Sequence, residues 1–222
     1  MKYIKNIMIA VLGTLFGMVL MSTFNTCKTN TIFATETVEH IVEVDANTFI
    51  AEDENVLKFA TYPYSISKIG KEHIKDYESL RLKPYYIGKN TRPSIGYGHQ
   101  ILDNEKYTTI TKAEAEAIFE KDIEKTNASI NRLLKNLNKK FKFSQGFIDG
   151  FGSLIYNCGE YGITQTEFYQ RLNNCRYDNS VKSNINQSDY NYTIAAVKNT
   201  KITHAGHKPR RLAEYQMMIN YD

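Results

Sequence analysis

The sequence has few of the residues that mark several common functional classes. Of its 222 residues only three are cysteine and four are proline, and tryptophan is absent. With no Cys-x-x-Cys pair, three cysteines exclude a disulfide-rich scaffold and do not support a structural zinc site. There is also no Gly-rich phosphate loop and no Gly-x-Ser-x-Gly, the best-marked signatures of nucleotide binding and serine hydrolysis. We therefore expect neither a cofactor nor a metal ion.

Charge is small overall but unevenly distributed. The net charge is +4, yet residues 36–60 hold seven acidic residues and one lysine, with no helical period. Residues 61–222 hold 24 basic and 17 acidic residues. We interpret residues 28–60 as an acidic linker and residues 61–222 as one folded domain. A basic domain favours an anionic partner such as cell-wall polymer, and since no motif supports nucleic acid, we predict none.

The first 27 residues have the layout of an export signal. Two lysines precede an uncharged, mostly apolar run over residues 7–21, typical of a secretory signal peptide. Extended to Phe24, the run is just long enough for a transmembrane helix, so membrane attachment through residues 7–27 stays open. Cys27 follows where a lipoprotein would be acylated, although the residues before it fit that signal poorly. We expect an exported protein that is periplasmic, membrane-anchored or secreted.

The two later cysteines leave two alternatives open. Cys158 and Cys175 are close in sequence and could form a disulfide after export, with Cys27 left unpaired. Three free thiols are the other alternative.

Residues 61–222 predict a mainly helical α+β fold. The segment from Pro84 to His99 is rich in Tyr, Gly and Pro and predicts a short β-hairpin. Apolar periodicity and caps predict helices over 66–81, from the capping box Thr111-Lys112-Ala113-Glu114 through Leu137, and over 145–156, 166–173 and 209–219. The predicted architecture is a helix, a small hairpin and then a helical bundle.

One carboxylate is marked by its position. Glu78 falls at the end of the first predicted helix, shortly before the glycine-spaced segment Ser94-Ile95-Gly96-Tyr97-Gly98-His99. A helix end that faces a hairpin forms a cleft, and Glu78 lies beside the apolar stripe of its helix. We therefore expect it to be partly buried, as suits a general acid. An ion pair with Lys75 or Arg81 on the helix surface is the alternative.

These segments resemble the phage-type lysozymes of glycoside hydrolase family 24. In that family Glu-Gly-Leu-Arg-Leu-x-x-Tyr and Thr-Ile-Gly-Tyr-Gly-His bracket the active-site hairpin, and the similar segments here begin at Glu78 and Ser94. Three later segments follow in family order: Ile110-Thr111-Lys112-Ala113-Glu114-Ala115, Ser153-Leu154-Ile155-Tyr156-Asn157-Cys158-Gly159 and Ala205-Gly206-His207-Lys208-Pro209-Arg210-Arg211-Leu212-Ala213-Glu214. The resemblance spans residues 66–219 and implies a lysozyme-like fold.

The resemblance also implies an activity and a set of site residues. The activity is hydrolysis of the β-1,4 bond between N-acetylmuramic acid and N-acetylglucosamine in peptidoglycan, with Glu78 as general acid. The positions that line the cleft in that family match Tyr85, Tyr97 and Asn157 here. For the two tyrosines, packing within the hairpin is the alternative role. The sequence leaves open whether an immunity protein or other inhibitor binds the enzyme.

Three further residues complete the hairpin motif. Gly96 and Gly98 are expected to shape its turn, and His99 is expected to be a hydrogen-bonded structural residue and not a catalyst.

The sequence departs from the family at the second catalytic carboxylate. The family has an Asp nine residues after the glutamate, whereas here that residue is Ile87, and no Asp or Glu occurs between Glu78 and Asp103. An inverting glycosidase needs a base about 6.5–9.5 Å from its acid. Three outcomes stay open: hydrolysis by a water held by Ser94, a lytic transglycosylase that uses Glu78 alone, or peptidoglycan binding without catalysis.

Overall fold

The described part of the chain divides into two units, with the boundary between Val56 and Leu57. The computed structural model describes residues 6–10, 19–23, 31–33, 42–44, 59–88, 91–203 and 205–219. In the N-terminal unit two antiparallel strand pairs are present, β1 (Asn6–Ala10) with β2 (Val19–Thr23) and β3 (Thr31–Phe33) with β4 (Val42–Val44).

Several expectations concern this N-terminal unit. Cys27, the candidate for lipidation, lies outside the described residues, as does most of the predicted acidic linker. Within the described ranges, no helix is long and apolar enough to cross a bilayer. The export signal and the membrane attachment stay predictions.

The predicted hairpin is a three-stranded antiparallel sheet. Its strands, in the order β5-β6-β7, are β5 (Arg81–Tyr85), β6 (Ser94–Gly96) and β7 (His99–Gln100). Arg81 pairs with Gly96 and Tyr85 with Ser94, with an irregularity between these two pairs. A tight turn leads from β6 into β7, so the motif that ends in His99 itself supplies the third strand.

Helices make up most of the remaining described residues of the C-terminal unit. They are α1 (Lys68–Glu78), α2 (Lys112–Leu134), α3 (Gln145–Cys158), α4 (Glu160–Thr164), α5 (Glu167–Asn173), α6 (Gln187–Ala195), a 3-10 helix (Ala196–Asn199) and α7 (His207–Ile219). The predicted mainly helical α+β fold is therefore confirmed. The sequence pattern missed α4 and α6, because α4 is little more than one turn and α6 has almost no apolar periodicity.

Local sequence signals account for where the helices start. The Thr111 hydroxyl accepts a hydrogen bond from the Glu114 N–H at 3.2 Å, and the Glu114 carboxylate accepts one from the Thr111 N–H at 2.7 Å. This capping box begins α2 as predicted, and Ser67 caps α1 in a similar way. The α2 helix ends at Leu134, earlier than predicted, and Leu137 is buried in the turn that follows.

The central helix α3 packs closely against α7. Every residue of α3 from 147 to 155 is buried. Gly146 and Gly150, one turn apart, face α7: a Cβ at Gly146 would overlap the carbonyl of Met217, and one at Gly150 would lie 3.0 Å from the carbonyl of Glu214. The two backbones thus approach to a distance that a side chain would prevent. This contact places the side chains of α7 against the middle of α3.

We predict that Gly146→Ala destabilises the protein by about 1–3 kcal/mol, because the added methyl group must push α7 away from α3. Gly162→Ala is the control, since its Cβ would meet only the Cβ of Cys158, at an ordinary 3.5 Å. There, the better helix propensity of alanine should leave stability unchanged or raise it by up to about 1 kcal/mol. Urea unfolding of both variants measures the difference, and equal midpoints would contradict the close packing.

Candidate active site

Glu78 is the last residue of α1, and its neighbour ends the helix. Ser79 has φ 56°, in the left-handed region that residues other than glycine rarely adopt, and its N–H donates to the carbonyl of Lys75 at 3.1 Å. The family motif has glycine at this position. The chain then enters β5 at Arg81, so Glu78 lies where the helix meets the sheet. Its side chain is 18% exposed, which matches the expected partial burial.

The two carboxylate oxygens of Glu78 have different surroundings. Oε1 accepts a hydrogen bond from Arg210 Nη1 at 2.6 Å. Oε2 faces the glycine turn of the sheet, and a Cβ at Gly98 would lie 2.9 Å from it. No donor among the residues that the structure describes bonds to Oε2. One oxygen is therefore held by a cation, and the other is available to a substrate.

The surface ion pair considered for Glu78 is replaced by this contact with Arg210. Lys75 instead binds Glu116 at 2.6 Å and Glu72 at 3.4 Å. Arg210, the ion-pair partner of Glu78, lies on α7, the last helix of the C-terminal unit.

Arg210 is held in place by α3 and by its own helix. Its side chain is 5% exposed. Nη2 donates to the backbone carbonyl of Ser153 at 3.2 Å, and Nε donates to Glu214 Oε1 at 3.1 Å. The guanidinium carbon also lies 5.6 Å from the centre of the Tyr77 ring. Buried groups thus fix the orientation in which Arg210 meets Glu78.

Two of the predicted substrate-binding residues are half-buried near this network. Burial, and then the charge of nearby Glu78, raise the pKa of Tyr85, while Arg81 acts in the opposite direction. The Arg81 guanidinium carbon lies 5.4 Å from the Tyr85 ring centre. The side-chain oxygen of Asn157 accepts a hydrogen bond from Arg211 at 3.0 Å. Tyr85 is thus a neutral phenol beside Glu78. Asn157 is connected to the site through its hydrogen bond with Arg211.

The other two predicted residues are buried in the sheet. Tyr97 is 7% exposed, its hydroxyl donates to Glu116 at 2.8 Å, and its ring packs edge-on against Phe119. Ser94 is 4% exposed. Tyr97 therefore packs the sheet onto α2. A substrate contact for Tyr97 and a water-holding role for Ser94 stay predictions.

His99 links the sheet to α2. Its Nδ1 lies 2.7 Å from Asp122 and its Nε2 2.9 Å from Glu105. The hydrogen bond with Asp122 raises the pKa of His99, and the bond with Glu105 adds to this against the effect of burial. The pKa of Glu105 is lowered, first by the N–H of Leu102. Carboxylates at both ring nitrogens thus favour the protonated form of His99.

A cavity of about 320 Å³ lies beside the turn of the three-stranded sheet. It is lined by the turn of the sheet, the middle of α2 and the end of α3, including Gly98, Lys125, Tyr156 and Glu160. Its size is in the range of small-ligand sites. Glu78 does not itself line the cavity. Gly98 is the residue that the two have in common, because it lines the cavity and a Cβ at this position would lie against Glu78 Oε2.

The described cysteines are free thiols. The Cys158 sulfur accepts a hydrogen bond from Arg211 at 3.6 Å, and the Cys175 sulfur lies 3.3 Å from the hydroxyl of Thr193. Of the two alternatives left by the sequence, the structure therefore has unpaired thiols at these positions. Among the described residues no group of three or more His, Cys, Asp or Glu side chains could hold a metal ion.

Comparison with known proteins identifies the family. A family model described as phage lysozyme matches residues 75–214, more than half of the chain. This chain belongs to the phage lysozyme family. The match includes Glu78 near its start and Glu214 at its end.

Solved structures similar to this phage lysozyme family member share its fold. The muramidase domain of SpmX from Asticaccaulis excentricus is 21% identical, with a TM-score of 0.54 over 70% of this chain and 97% of that one. The endolysin from Escherichia coli O157:H7 phage FAHEc1 is 25% identical, with a TM-score of 0.54 over 74% of this chain and 99% of that one. No curated protein matches the chain.

Sequence reasoning on this lysozyme-family chain missed the contact of Arg210 with Glu78. The arginine lies in a segment that resembles the family, but the ion-pair partners considered for Glu78 were Lys75 and Arg81. The two residues are 132 positions apart, so no local pattern could connect them. The order of the family segments was the only available signal.

We predict that Gly98→Ala lowers the turnover of this lysozyme-family protein about 100-fold, because the new methyl group displaces Glu78 Oε2. Gly96→Ala is the matched control. Both glycines have positive φ, 83° and 64°, so both variants carry a similar backbone penalty, but a Cβ at Gly96 meets only Ala115, at 3.7 Å. Rates on purified peptidoglycan and unfolding midpoints separate the two effects. Equal loss of turnover in both variants would refute the contact.

We predict that His99 stabilises this protein most in mildly acidic solution. The raised pKa of His99 makes its contribution complete below pH 6.5, and the contribution is lost as the pH rises through the raised value. The lowered pKa of Glu105 makes its contribution complete above pH 4.5, and this is lost as the pH falls through the lowered value. The loss of unfolding free energy in His99→Gln should therefore be largest between these limits. A loss that grows above pH 8 would contradict the imidazolium.

Proposed function

We propose that this protein cleaves the β-1,4 bond between N-acetylmuramic acid and N-acetylglucosamine in peptidoglycan, with Glu78 as the general acid. Membership of the phage lysozyme family supports a lysozyme-type glycosidase that acts on peptidoglycan. The observation that carries the assignment of Glu78 is its asymmetric environment, with Arg210 on Oε1 and the glycine turn of the sheet at Oε2. Gly98 of that turn also lines the cavity. The predicted export signal would bring the enzyme to this substrate.

The geometry supports a proton transfer from Oε2. We expect a sugar chain that extends from the cavity past Gly98 to bring its glycosidic oxygen to Oε2. Donation of the proton lets the bond between that oxygen and the anomeric carbon break, while positive charge develops on the sugar ring. Glu78 is left as a carboxylate, and Arg210 at 2.6 Å stabilises that negative charge. Arg210 thus favours the product state of the transfer.

The hairpin supplies no second carboxylate for the second step, in which water attacks the anomeric carbon. Ile87, at the position of the family's Asp, is 77% exposed. The next acid along the chain, Asp103, is exposed and pairs with Arg92 at 2.8 Å. Water must therefore attack with the help of Ser94 or of the regenerated Glu78 carboxylate. Hydrolysis on this plan is expected to be slower than with a dedicated base.

This missing carboxylate favours one other reaction, that of a lytic transglycosylase. After the first proton transfer the Glu78 carboxylate can accept the proton of the substrate's own 6-hydroxyl group as that oxygen bonds to the anomeric carbon. The product is a 1,6-anhydro sugar, and no water or second carboxylate takes part. Peptidoglycan binding without turnover is the remaining alternative.

Mass spectrometry of the products from purified peptidoglycan tests the proposal. We expect products with free reducing ends, and a fall in rate of about 10²- to 10⁴-fold in Glu78→Gln, because the amide cannot donate a proton. Glu72→Gln is the matched control: it lies on the same helix, is exposed and only pairs with Lys75. This variant should keep its turnover.

The other outcomes separate the alternatives. Anhydro ends, one water lighter, that disappear in Glu78→Gln would assign a transglycosylase. A full rate in Glu78→Gln would overturn the role of Glu78. If no variant releases products but all sediment with peptidoglycan, the protein binds without catalysis.

A further inference from the structure

Glu214 is a buried acid that the proposed reaction does not use. It lies on α7 one turn after Arg210, and its side chain has no solvent exposure. Burying a carboxylate is unfavourable unless charged or hydrogen-bonded partners compensate it. The presence of a carboxylate at this buried position therefore needs an explanation other than hydrophobic packing.

The Oε1 atom of Glu214 accepts three hydrogen bonds, whereas Oε2 has an ion-pair contact but no hydrogen bond among the described residues. Oε1 accepts from the Ser153 hydroxyl at 2.6 Å, from Arg210 Nε at 3.1 Å and from Arg211 Nη2 at 3.1 Å. Oε2 lies 2.9 Å from Arg211 Nε. Burial raises the pKa of Glu214, but both guanidiniums oppose that effect and favour the anion. The acceptor pattern is that of a carboxylate.

The charges of this network balance only when Glu214 is ionised. The network holds the two guanidiniums of Arg210 and Arg211, and the acids that contact them are Glu78 and Glu214. With a neutral residue at position 214, two buried cations would face Glu78 as their one anion.

The titratable groups that face the network are neutral at neutral pH, and three charged residues act on them from outside it. Tyr85 on β5 and Tyr156 on α3 face Glu78, and the pKa of each phenol is raised, chiefly by burial. His73 on α1 faces Arg210, and burial with that positive charge lowers the pKa of His73 to about 4. Burial raises the pKa of the Cys158 thiol beside Arg211. The outer charges are Asp76, which acts on His73, Asp122, which acts on Tyr156, and Arg81, which acts on Tyr85.

We propose that Glu214 is a positioning residue that acts on Glu78 through Arg210. It holds the guanidinium so that Nη1 meets Glu78 Oε1, and it offsets the charge of Arg210 and Arg211 so that Glu78 can take up the proton that it later donates. Ser153 completes the arrangement, since its hydroxyl bonds to Glu214 and its backbone carbonyl to Arg210. The inference rests on the proposed function in one respect, the assignment of Glu78 as the general acid.

Carbon-13 NMR titration of the glutamate carboxyl groups in the full chain tests the proposal without relying on turnover. In Glu214→Gln the uncompensated arginines favour ionised Glu78, so its titration midpoint should move down by about 1 pH unit. The alkaline limb of kcat/KM on peptidoglycan should move in the same direction. At neutral pH, kcat/KM should then fall about tenfold.

Asp149→Asn is the matched control. Asp149 is a second buried carboxylate on α3, 3% exposed, that accepts bonds from the N–H of Ser67 at 2.7 Å and from Gln145 at 2.9 Å. Asp149 thus hydrogen-bonds the N-terminal end of α1, whereas Glu78 is the last residue of that helix. Its loss should lower stability and leave both the Glu78 midpoint and the shape of the pH profile unchanged.

A second variant keeps the proposal testable if Glu214→Gln does not fold. Ser153→Ala retains all charges but loosens Glu214 and Arg210, so kcat should fall with a smaller movement of the Glu78 midpoint. If Glu214→Gln folds and the titration midpoint of Glu78 does not move, the inference is overturned. If Glu214→Gln does not fold, an unchanged kcat in Ser153→Ala overturns it. If the unmodified protein releases no product, the proposed function fails, whereas the titration still decides the role of Glu214.

Discussion

The partly buried ion pair between Arg210 and Glu78 joins the first and last helices of the C-terminal unit. It spans 132 residues of sequence and depends on the close approach of α7 to α3. The charge of Arg210, whose side chain is 5% exposed, must be compensated by anionic partners, and Glu78 is one of them. The packing of α7 and the geometry of the site therefore depend on each other. A change that moves α7 also changes the environment of Glu78.

Backbone conformations on both sides of Glu78 are adapted to the site. Ser79 has φ 56°, and a residue other than glycine in such a sparsely populated conformation costs on the order of 1–3 kcal/mol. Gly98 leaves no Cβ where Glu78 Oε2 lies. The helix end and the sheet turn thus meet at the carboxylate, and a side chain at position 98 would displace it. Tertiary contacts maintain this local strain at the place where the proposed chemistry occurs.

The hairpin of this lysozyme-family protein has an unusual distribution of charge. The sheet places no acidic side chain between Glu78 and Asp103, and its exposed residue at the critical position is Ile87. In the proposed reaction Glu78 acts as the acid, and the base is either Ser94 with its water or Glu78 after it has lost its proton. The charged groups that contact Glu78 and its partner Arg210 come from the helices and not from the hairpin.

Local signals were enough to predict several elements. The capping box at Thr111 began α2, apolar periodicity located α1 and α3, and the Gly-Tyr-Gly-His segment located the sheet. The same signals missed α4, α6 and the third strand, which are short or lack periodicity. They also could not separate Tyr85, half-buried beside Glu78, from Tyr97, which is buried against α2. Side-chain placement across a short irregular sheet depends on what packs beneath it.

The sequence by itself determined that Glu78 ends a helix beside a glycine turn, that the chain resembles phage lysozymes and that the hairpin has no second carboxylate. These are properties of residue order and spacing. Only the tertiary structure decided that Arg210 is the partner of Glu78, that Oε2 is the available oxygen and that Glu214 lies behind the arginine. Those relations join residues of α1, α3 and α7, because helices distant in sequence meet only when the core has packed.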